Sequence, residues 1–428
     1  MMNKAKVQMF ICLLLMIPFF LTLLFNPHLL LYLAEHGEAD IHALQPEAVG
    51  INLWLFAVIT GFAVVAASLF LGWGAEAGQF IFAQAFALAI LAILQVLPEY
   101  MFEATLAWKR HIELASATMT GSNRLLLGLG WPLIVFIAYL SSKLKGENQP
   151  VKEVRLDVSQ SVEIFFLTIL TLYSFVIVAK RTLDIIDAII LVSIYVIYLI
   201  FCMRMPTESE EKVETLHGPA KIVLNWPPTK RNLFIALSLV AGAIVIFFGA
   251  PLFIGSTIGV ALLIGVDVFL FAQWVGPFLS EFPESATAFY FATKKELAPM
   301  GIGNLVSSKV NQWSLLIGTI PIVYSLSVGH LAFIPLNELQ QHEILLTAAQ
   351  SLYGVAALMK LRFSIREAII LFILWFLQFI YPPIRIEVTI IYILLAIFEI
   401  IYFRHENKKM LIEFKKAVNY ILYRSKII

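Results

Sequence analysis

The stretch FLSEFPES, residues 278–285, brings two carboxylates and a helix-breaking proline into an otherwise hydrophobic part of the chain. A proline removes a backbone hydrogen bond, and a charged side chain at membrane depth is energetically costly. These costs apply only if the stretch is surrounded by lipid, because a soluble protein could expose the same residues to water. The composition of the chain decides between the two cases.

The composition is that of a membrane protein. Of 428 residues, 60% are hydrophobic and only 14% are charged, whereas ordinary soluble domains carry about 25% charged residues. The net charge of +1 offers no basic surface for nucleic acid. Cys12 and Cys202 both lie in apolar segments, so we expect small core residues and not a disulfide or a metal site.

Hydropathy predicts an all-α polytopic membrane protein with about twelve transmembrane helices. The predicted spans are 8–33, 51–73, 79–107, 115–141, 162–179, 184–203, 232–263, 265–293, 301–327, 344–360, 366–381 and 386–403. Placing the N-terminus inside leaves most of the 30 basic residues on the inner side. We therefore expect an integral protein of the plasma membrane with both termini in the cytoplasm.

Four segments of the first half recur in the second half, in the same order and at a nearly constant offset. The pairs are FIFAQ (80–84) with FLFAQ (269–273), LPE (97–99) with FPE (282–284), Ser122 with Ser308, and DAIIL (187–191) with EAIIL (367–371). Each half would hold five spans, and because five is odd, the second copy enters the membrane from the opposite face. The sequence therefore predicts two inverted five-helix repeats with one extra helix at each end.

This internal symmetry divides the chain into five parts. They are an extra helix with an outer loop (1–50), the first repeat (51–203), a cytoplasmic linker (204–231), the second repeat (232–381), and a further helix with a basic tail (382–428). The basic tail is predicted to form an amphipathic helix on the anionic inner leaflet.

Each half places a proline and a glutamate together inside a span. Pro98 and Pro283 are predicted to break their helices and to free backbone carbonyls. Glu99 and Glu284 follow directly and would lie near mid-membrane, where a lone charge costs about 3 kcal/mol or more. A bound cation offsets that cost, and carboxylates, carbonyls and hydroxyls are the oxygen ligands that hard cations such as Ca²⁺ require.

The neighbouring spans make the pattern specific. The segments ATMTGSNRLLLG (117–128) and GNLVSSKVNQWS (303–314) are small and polar, and the spacing from Glu99 to Ser122 is nearly that from Glu284 to Ser308. Over residues 51–381 the chain resembles the sodium/calcium exchanger membrane domain of the calcium:cation antiporter superfamily, in a divergent bacterial-type form. Each repeat of that family carries G-T-S-x-P-E followed by G-N-x-x-G-S-N-x-x-N/D.

The resemblance implies which residues bind the transported ions. By position they are Glu99, Ser122, Ser280, Glu284, Ser308 and Gln312. Two more carboxylates accompany them and leave alternatives open: Glu103 is either a ligand or a solvated residue, and Glu281 is either a ligand or a partner for Lys309.

The chain departs from the family pattern mainly at neutral ligands. Gln95-Val96 stands at the first Thr-Ser, Leu126 at the distal Asn, Glu281 at the second-repeat Ser, and Gln312 at the Asp or Asn. Lys309 replaces the Asn of the second G-S-N, and Arg124 follows the first. Both cations are predicted to modulate the charge of the site, because an ammonium beside a carboxylate competes with a bound metal.

These features predict a secondary active cation antiporter and not an enzyme. The expected exchange is Ca²⁺ for Na⁺ or H⁺ at a mid-membrane carboxylate site, by alternating access. Lys309 and Arg124 favour, as an alternative, exchange of Na⁺ or K⁺ for H⁺. An ion channel, an intramembrane enzyme using Glu99 and Glu284 as acid and base, and a non-transporting relative stay open.

The expected partners are inorganic cations and the lipid bilayer, without nucleic acid. The sequence contains no nucleotide-binding P-loop and no phosphorylation motif of pumps, so transport would draw on ion gradients. No cofactor is expected beyond the transported cations, and the sequence does not define an oligomeric state.

Replacing Lys309 with glutamine tests whether its charge takes part in transport. Loss of the ammonium is expected to alter the pH dependence or the ion stoichiometry of transport, because one positive charge no longer competes for the carboxylates. The measurement is cation uptake into liposomes over a pH series. Transport identical to that of the parent protein at every pH would discard the idea.

Overall fold

The computed structural model describes residues 2–26, 52–81, 84–146, 149–205, 218–265, 278 and 281–424. Within these ranges the chain is nearly all helical, with two very small sheets. The fold is therefore described by its helices and by the few elements that connect them.

The first half of the chain contributes α1 to α7. These helices are α1 (Met2–Phe25), α2 (Leu53–Gly78), α3 (Gln84–Trp108), α4 (Ile112–Leu125), α5 (Trp131–Leu144), α6 (Ser161–Lys180) and α7 (Ile185–Arg204). A π-helical turn, Leu126–Gly130, joins α4 to α5, and a 3₁₀ turn, Val158–Gln160, precedes α6. Strand β1 (Glu153–Arg155) lies before α6, and β2 (Thr182–Leu183) lies before α7.

The second half repeats this order. Its helices are α8 (Pro219–Leu224), α9 (Pro228–Leu263), α10 (Phe282–Ala292), α11 (Ala298–Asn311), α12 (Ile317–Val328), α13 (Glu338–Leu358), α14 (Ile365–Ile380), α15 (Arg385–Tyr402) and α16 (Arg404–Arg424). A π-helical turn, Gln312–Leu316, joins α11 to α12, and a 3₁₀ turn, Pro382–Ile384, precedes α15. Strand β3 (Ile334–Pro335) lies before α13, and β4 (Arg362–Ser364) lies before α14.

Six helical segments of the described ranges are long and apolar enough to cross a membrane. They are Ala5–Phe25, Leu53–Gly78, Ala115–Leu144, Val158–Lys180, Ile185–Arg204 and Pro228–Thr257. A seventh candidate joins α15 to the basic helix α16 across a bend of 82°. The count of twelve spans stays a prediction, because residues 27–51 and 266–277 lie outside the described residues.

Capping boxes fix the starts of equivalent helices in the two halves. The boxes pair Asp157 with Gln160, Asp184 with Asp187, Asn337 with Gln340, and Ser364 with Glu367. The last two boxes repeat the first two at one constant offset, and each satisfies the exposed backbone N–H groups of a helix N-terminus. Arg181 and Leu361, separated by the same offset, both have positive φ, at 60° and 54°. The halves therefore repeat in backbone geometry as well as in sequence.

The two small sheets join the halves to each other. Strand β1 pairs with β4, and β2 pairs with β3, both antiparallel. Helix α6 begins after β1 and ends at β2, whereas α13 begins after β3 and ends at β4. The two helices, which pack against each other, therefore run in opposite directions between the two sheets.

The buried apolar side chains form two large clusters. The larger cluster draws on α3 to α7 and α10 to α16, and the smaller one is built mainly from α1, α2 and α9. Helices α2 and α9 approach closely at two glycines that have no Cβ. A Cβ added at Gly61 would lie 2.8 Å from Phe253, and one added at Gly242 would lie 2.7 Å from Leu71. We call the α1–α2–α9 group the peripheral body and the remainder the main body.

The predicted helix break at Pro98 is wrong, because α3 is continuous from Gln84 to Trp108. A helix in a well-packed bundle can lose one backbone hydrogen bond and still continue through a proline. Pro283 lies in the first turn of α10, where a missing N–H costs nothing. The irregular turns are instead the two π-helical segments, which the sequence analysis did not anticipate.

A buried charge network closes the end of α13. The Lys360 ammonium lies 2.9 Å from Glu367 and 2.7 Å from Glu399, and its side chain is 2% exposed. Lys180, its counterpart in the first half, contacts Asp184 and Asp187, but its side chain is 34% exposed. The same contact is therefore buried in one half and partly hydrated in the other.

Replacing Lys360 with methionine is expected to lower the free energy of unfolding by about 3 kcal/mol, because Glu367 and Glu399 stay buried and keep only the half-exposed Arg366 as a cationic partner. The matched replacement of Lys180 is expected to cost about 1 kcal/mol or less, because water screens that site. Thermal unfolding in detergent measures both changes. Equal losses in the two variants would contradict the assignment.

Candidate functional site

Three buried carboxylates meet where α3, α10 and the second π turn come together: Glu99 in α3, Glu281 just before α10, and Glu284 in its first turn. Gln312 connects two of them, since its Nε2 donates to Glu281 Oε1 at 2.6 Å and to Glu99 Oε2 at 3.3 Å. Glu281 is also within hydrogen-bonding reach of Glu99, and its carboxylate interacts electrostatically with that of Glu284. One carboxylate thus comes from the first half of the chain and two from the second.

Several oxygen atoms of this cluster have no hydrogen-bond partner in the described part of the chain. They are both carboxylate oxygens of Glu284, Oε2 of Glu281, Oε1 of Gln312 and Oγ of Ser308. Buried polar atoms are nearly always paired in proteins, so this group of orphaned oxygens needs an explanation. Carboxylate, amide and hydroxyl oxygens are ligands for hard cations such as Ca²⁺.

The carboxylates do not form a ready-made metal centre by themselves. Across the described ranges, no three acidic, histidine or cysteine side chains are close enough to hold a metal ion. A cation here would therefore depend on Gln312 and the serine hydroxyls as well as on the carboxylates. Such a mixed ligand set suits an ion that must leave again.

Burial bears on the role of Glu103, and one of the predicted ligands lies outside the described residues. Glu103, one turn beyond Glu99, is buried and interacts electrostatically with it, which favours a ligand over a solvated residue, and its role stays a prediction. Ser122 is buried in α4. Ser280 lies outside the described residues, and its role stays a prediction.

Lys309 places a basic side chain near the carboxylates. The residue is fully buried in α11, and its ammonium donates to the main-chain oxygen of Asn123 in α4 at 2.8 Å. The Lys309 side chain interacts electrostatically with Glu281, and its Nζ lies 5.8 Å from the ring centroid of Trp313. Because its ammonium bonds to Asn123, the partner role suggested for Glu281 is a through-space interaction.

Arg124 is directed to a different acid from the ones that the sequence analysis considered. Its guanidinium lies 2.5 Å from Glu343 in α13, and Arg385 contacts the same carboxylate at 2.9 Å. A weaker contact joins Arg124 to Gln378 at 3.5 Å. Arg124 therefore acts on the site only indirectly, through its electrostatic interaction with Lys309.

A hydrogen-bonded chain leads from the cluster to the peripheral body. Asn304 Nδ2 lies 3.5 Å from the main-chain oxygen of Glu284 and 3.3 Å from Gln95 Oε1. Gln95 Nε2 then donates to the Thr287 hydroxyl at 2.7 Å, and that hydroxyl donates to the main-chain oxygen of Ser68 at 2.8 Å. All five residues are fully buried. These hydrogen bonds therefore connect α2 to the backbone that carries Glu284.

Sequence reasoning did not assign roles to Thr287 and Asn304. Thr287 follows Glu284 by three residues and therefore shares its helix face, which is a usable signal. Asn304 belongs to the quoted GNLVSS segment, but its partners lie in α3 and α10 and depend on the tertiary fold. Gln95 appeared only as a departure from the family pattern, and the structure uses both ends of its amide.

A second polar contact joins the two bodies at the end of α2. The buried Glu76 carboxylate lies 3.3 Å from the Lys294 ammonium and accepts a hydrogen bond from the Tyr290 hydroxyl at 3.3 Å. Lys294 and Tyr290 are in direct contact at 2.7 Å. The peripheral body is thus held to the main body by polar groups at two positions along α2.

Comparison with known proteins gives a consistent result. A family model described as sodium/calcium exchanger protein matches residues 51–204 and 234–382. The chain is 33% identical to a solved H⁺/Ca²⁺ exchanger CAX, with a TM-score of 0.77 over 98% of this chain and 99% of that chain. No curated protein matches.

The sodium-calcium exchanger NCX_Mj shares the fold at lower identity. A structure soaked with Na⁺ and Sr²⁺ is 17% identical, with a TM-score of 0.58 over 76% of this chain and 97% of that chain. A structure without Na⁺ and Ca²⁺ is 18% identical, with a TM-score of 0.57 over 76% and 96%.

Replacing Thr287 with valine tests the hydrogen-bonded chain. The variant keeps the shape of the side chain but removes the hydroxyl that accepts from Gln95 Nε2 and donates to the Ser68 carbonyl, so a loss of about 1–3 kcal/mol in the free energy of unfolding is expected. Thr287→Ser is the control, because it keeps the hydroxyl. Thermal unfolding in detergent is the measurement. A valine variant as stable as the serine variant would contradict a stabilising role for the hydrogen bonds of the Thr287 hydroxyl.

Proposed function

Because this chain belongs to the sodium/calcium exchanger protein family, we propose that it is a secondary active antiporter that exchanges Ca²⁺ for Na⁺ or H⁺. The observation that carries the proposal is the group of buried, unpartnered oxygens around Glu281, Glu284 and Gln312 in the described part of the chain. The 33% identical relative is an H⁺/Ca²⁺ exchanger, which supports Ca²⁺ as one substrate.

The proposed ion site combines charged and neutral ligands. Glu99, Glu281 and Glu284 supply the negative charge, and Gln312 with Ser308 supplies neutral oxygens from the π turn and the helix before it. Ser122, Ser280 and Glu103 complete the proposed set. A bound cation would satisfy the oxygens that no protein donor reaches and would offset the cost of charge at this depth.

Exchange follows from the same electrostatic cost. An emptied cluster of carboxylates among apolar helices is unfavourable, so the site takes up a second cation before the protein changes its access from one side to the other. Opposing ions compete for the same oxygens, and each gradient can drive the other ion without ATP. The peripheral body, with α2 and α9, would move against the main body to open either side.

The topology proposed with this function is a pair of inverted five-helix repeats plus one extra helix at each end. The antiparallel course of α6 and α13 between the two sheets supports the inversion. The capping boxes that recur at a constant offset support the repeat. Location in the plasma membrane with both termini in the cytoplasm is part of the same proposal.

A second candidate is exchange of Na⁺ or K⁺ for H⁺. Lys309 favours it, because a basic side chain near Glu281 would, when protonated, neutralise part of the charge that a divalent ion needs. Under this alternative, Ca²⁺ gradients would drive no uptake, whereas monovalent gradients would.

Uptake by the purified protein in liposomes tests the function. Radioactive Ca²⁺ is expected to accumulate only when an opposing Na⁺ or H⁺ gradient is present. Glu99→Gln and Glu284→Gln each remove a charged ligand worth about 1.5–3 kcal/mol, so uptake at limiting Ca²⁺ should fall about tenfold to 100-fold. The exposed Glu338→Gln variant is the control for charge removal.

Two outcomes would overturn the proposal. Current or uptake without any counter-ion would indicate a channel, and uptake that survives unchanged in both ligand variants would place the ion site elsewhere.

A further inference from the structure

A further buried carboxylate lies outside the proposed cation site. Glu163, in the first turn of α6, is 0% exposed, and neither of its carboxylate oxygens has a hydrogen-bond partner of normal geometry in the described part of the chain. The Ser307 hydroxyl of α11 lies beside it. Ser307 directly precedes Ser308, so Glu163 touches the helix of the ion site without belonging to that site.

The other polar groups around Glu163 are uncharged. The Tyr198 hydroxyl of α7 donates to Ser307 Oγ at 3.1 Å, and both residues are buried. The Cys202 thiol, one turn further along α7, is close to both Glu163 and Tyr198. These groups can pass or share a proton, but none of them neutralises a carboxylate.

The internal repeat shows what Glu163 lacks. Its counterpart in the second half is Glu343, whose carboxylate contacts Arg124 at 2.5 Å and Arg385 at 2.9 Å. Arg124 belongs to α4, and the match of Ser122 with Ser308 makes Val310 the equivalent position of α11. Arg385 belongs to α15, which follows the second repeat. Equivalent carboxylates therefore have opposite surroundings, one with two arginines and one, within the described residues, with no arginine.

The remaining neighbours of α6 do not replace those arginines. The turn before α6 places Asp157 near Glu163, which adds a negative charge and not a positive one. Helices α13 and α16 also pack on α6, and in the described part of the chain neither brings a charged group that acts on Glu163. A buried carboxylate without a cation is unfavourable, and binding a proton removes that cost.

We propose that Glu163 is a further proton-binding site of this transporter, separate from the cation carboxylates, and that its protonation opposes cation binding. This inference rests on the proposed antiport and adds a proton site to it. The O–H bond of the Glu163 carboxyl breaks or forms, and the proton is relayed to or from water by the neighbouring hydroxyl groups, each of which gives up one proton as it takes another. Asp157, which is partly exposed, lies six residues before Glu163 and ahead of the 3₁₀ turn that leads into α6.

Coupling to the cation follows from the position of Glu163 beside α11. A cation bound near Ser308 stabilises an ionised Glu163 and favours release of its proton. When the cation leaves, the carboxylate becomes unfavourable again and takes a proton back. Proton and cation thus oppose each other through a shared helix, and the effect is reciprocal because binding free energies are linked.

Infrared difference spectroscopy tests the proton site without requiring transport. At neutral pH, Glu163→Gln is expected to remove part of the carbonyl band of protonated carboxylic acids, whereas Glu343→Gln is expected to leave that band unchanged. Glu163→Asp keeps an acid and should shift the band, which provides a second variant if the glutamine variant does not fold. An unchanged band in Glu163→Gln, or a loss in Glu343→Gln in its place, would overturn the proposal.

Transport then tests the coupling. With the protein in liposomes, the ratio of proton-driven Ca²⁺ uptake to isotopic Ca²⁺/Ca²⁺ exchange is expected to fall about tenfold in Glu163→Gln, a change of about 1.4 kcal/mol in coupling. An unchanged ratio would overturn the role of Glu163. A parent protein that moves no Ca²⁺ at all would instead refute the proposed function, and the infrared result would still decide whether Glu163 holds a proton.

Discussion

The cost of negative charge among apolar helices is the constraint on which this structure depends. The buried acids meet it in different ways. Glu343 and Glu399 are neutralised by arginine or lysine side chains that the fold supplies. The cluster of Glu99, Glu281 and Glu284 is only partly compensated, by the Gln312 amide and by Lys309 near Glu281, and its orphaned oxygens, among the described residues, are open to a cation from outside. The distribution of basic side chains therefore separates acids with a structural role from acids that are available for transport.

The division into two bodies gives the carboxylate cluster its second property, which is a mechanical connection. The main body holds Glu99 and Glu284, whereas α2 belongs to the peripheral body. Apolar contacts between helices tolerate small displacements, but the bond from Thr287 to the Ser68 carbonyl and the contact between Glu76 and Lys294 each require a defined register. A change in the occupancy of the site that shifts α10 would therefore be transmitted to α2, and a movement of α2 would be transmitted to the site.

The sequence predicted more of the site than of its supports. Repeated Pro-Glu pairs identified the two glutamates that converge, because charge inside a span is informative by itself. Continuity of α3 through Pro98 was not predictable, since it depends on packing that a local rule does not include. The π turns, LLGLG and QWSLL, have no residue pattern that distinguishes them from the α-helices on either side. The partner of Arg124 was missed because Glu343 lies in the other half of the sequence, and only the tertiary fold brings the two together.

The pairing of β1 with β4 and of β2 with β3 has a consequence for biogenesis. Each sheet contains one strand from each half, and Gln160 and Gln340 each donate across to the start of a helix in the other half, at Pro299 and Ile112. The first half therefore leaves the ribosome with β1 and β2 unpaired. These strands can pair only after the last third of the chain, which contains β3 and β4, has been synthesised. Assembly must be a late event that follows insertion of both halves, and the halves are interlocked parts of one unit instead of modules that mature in turn.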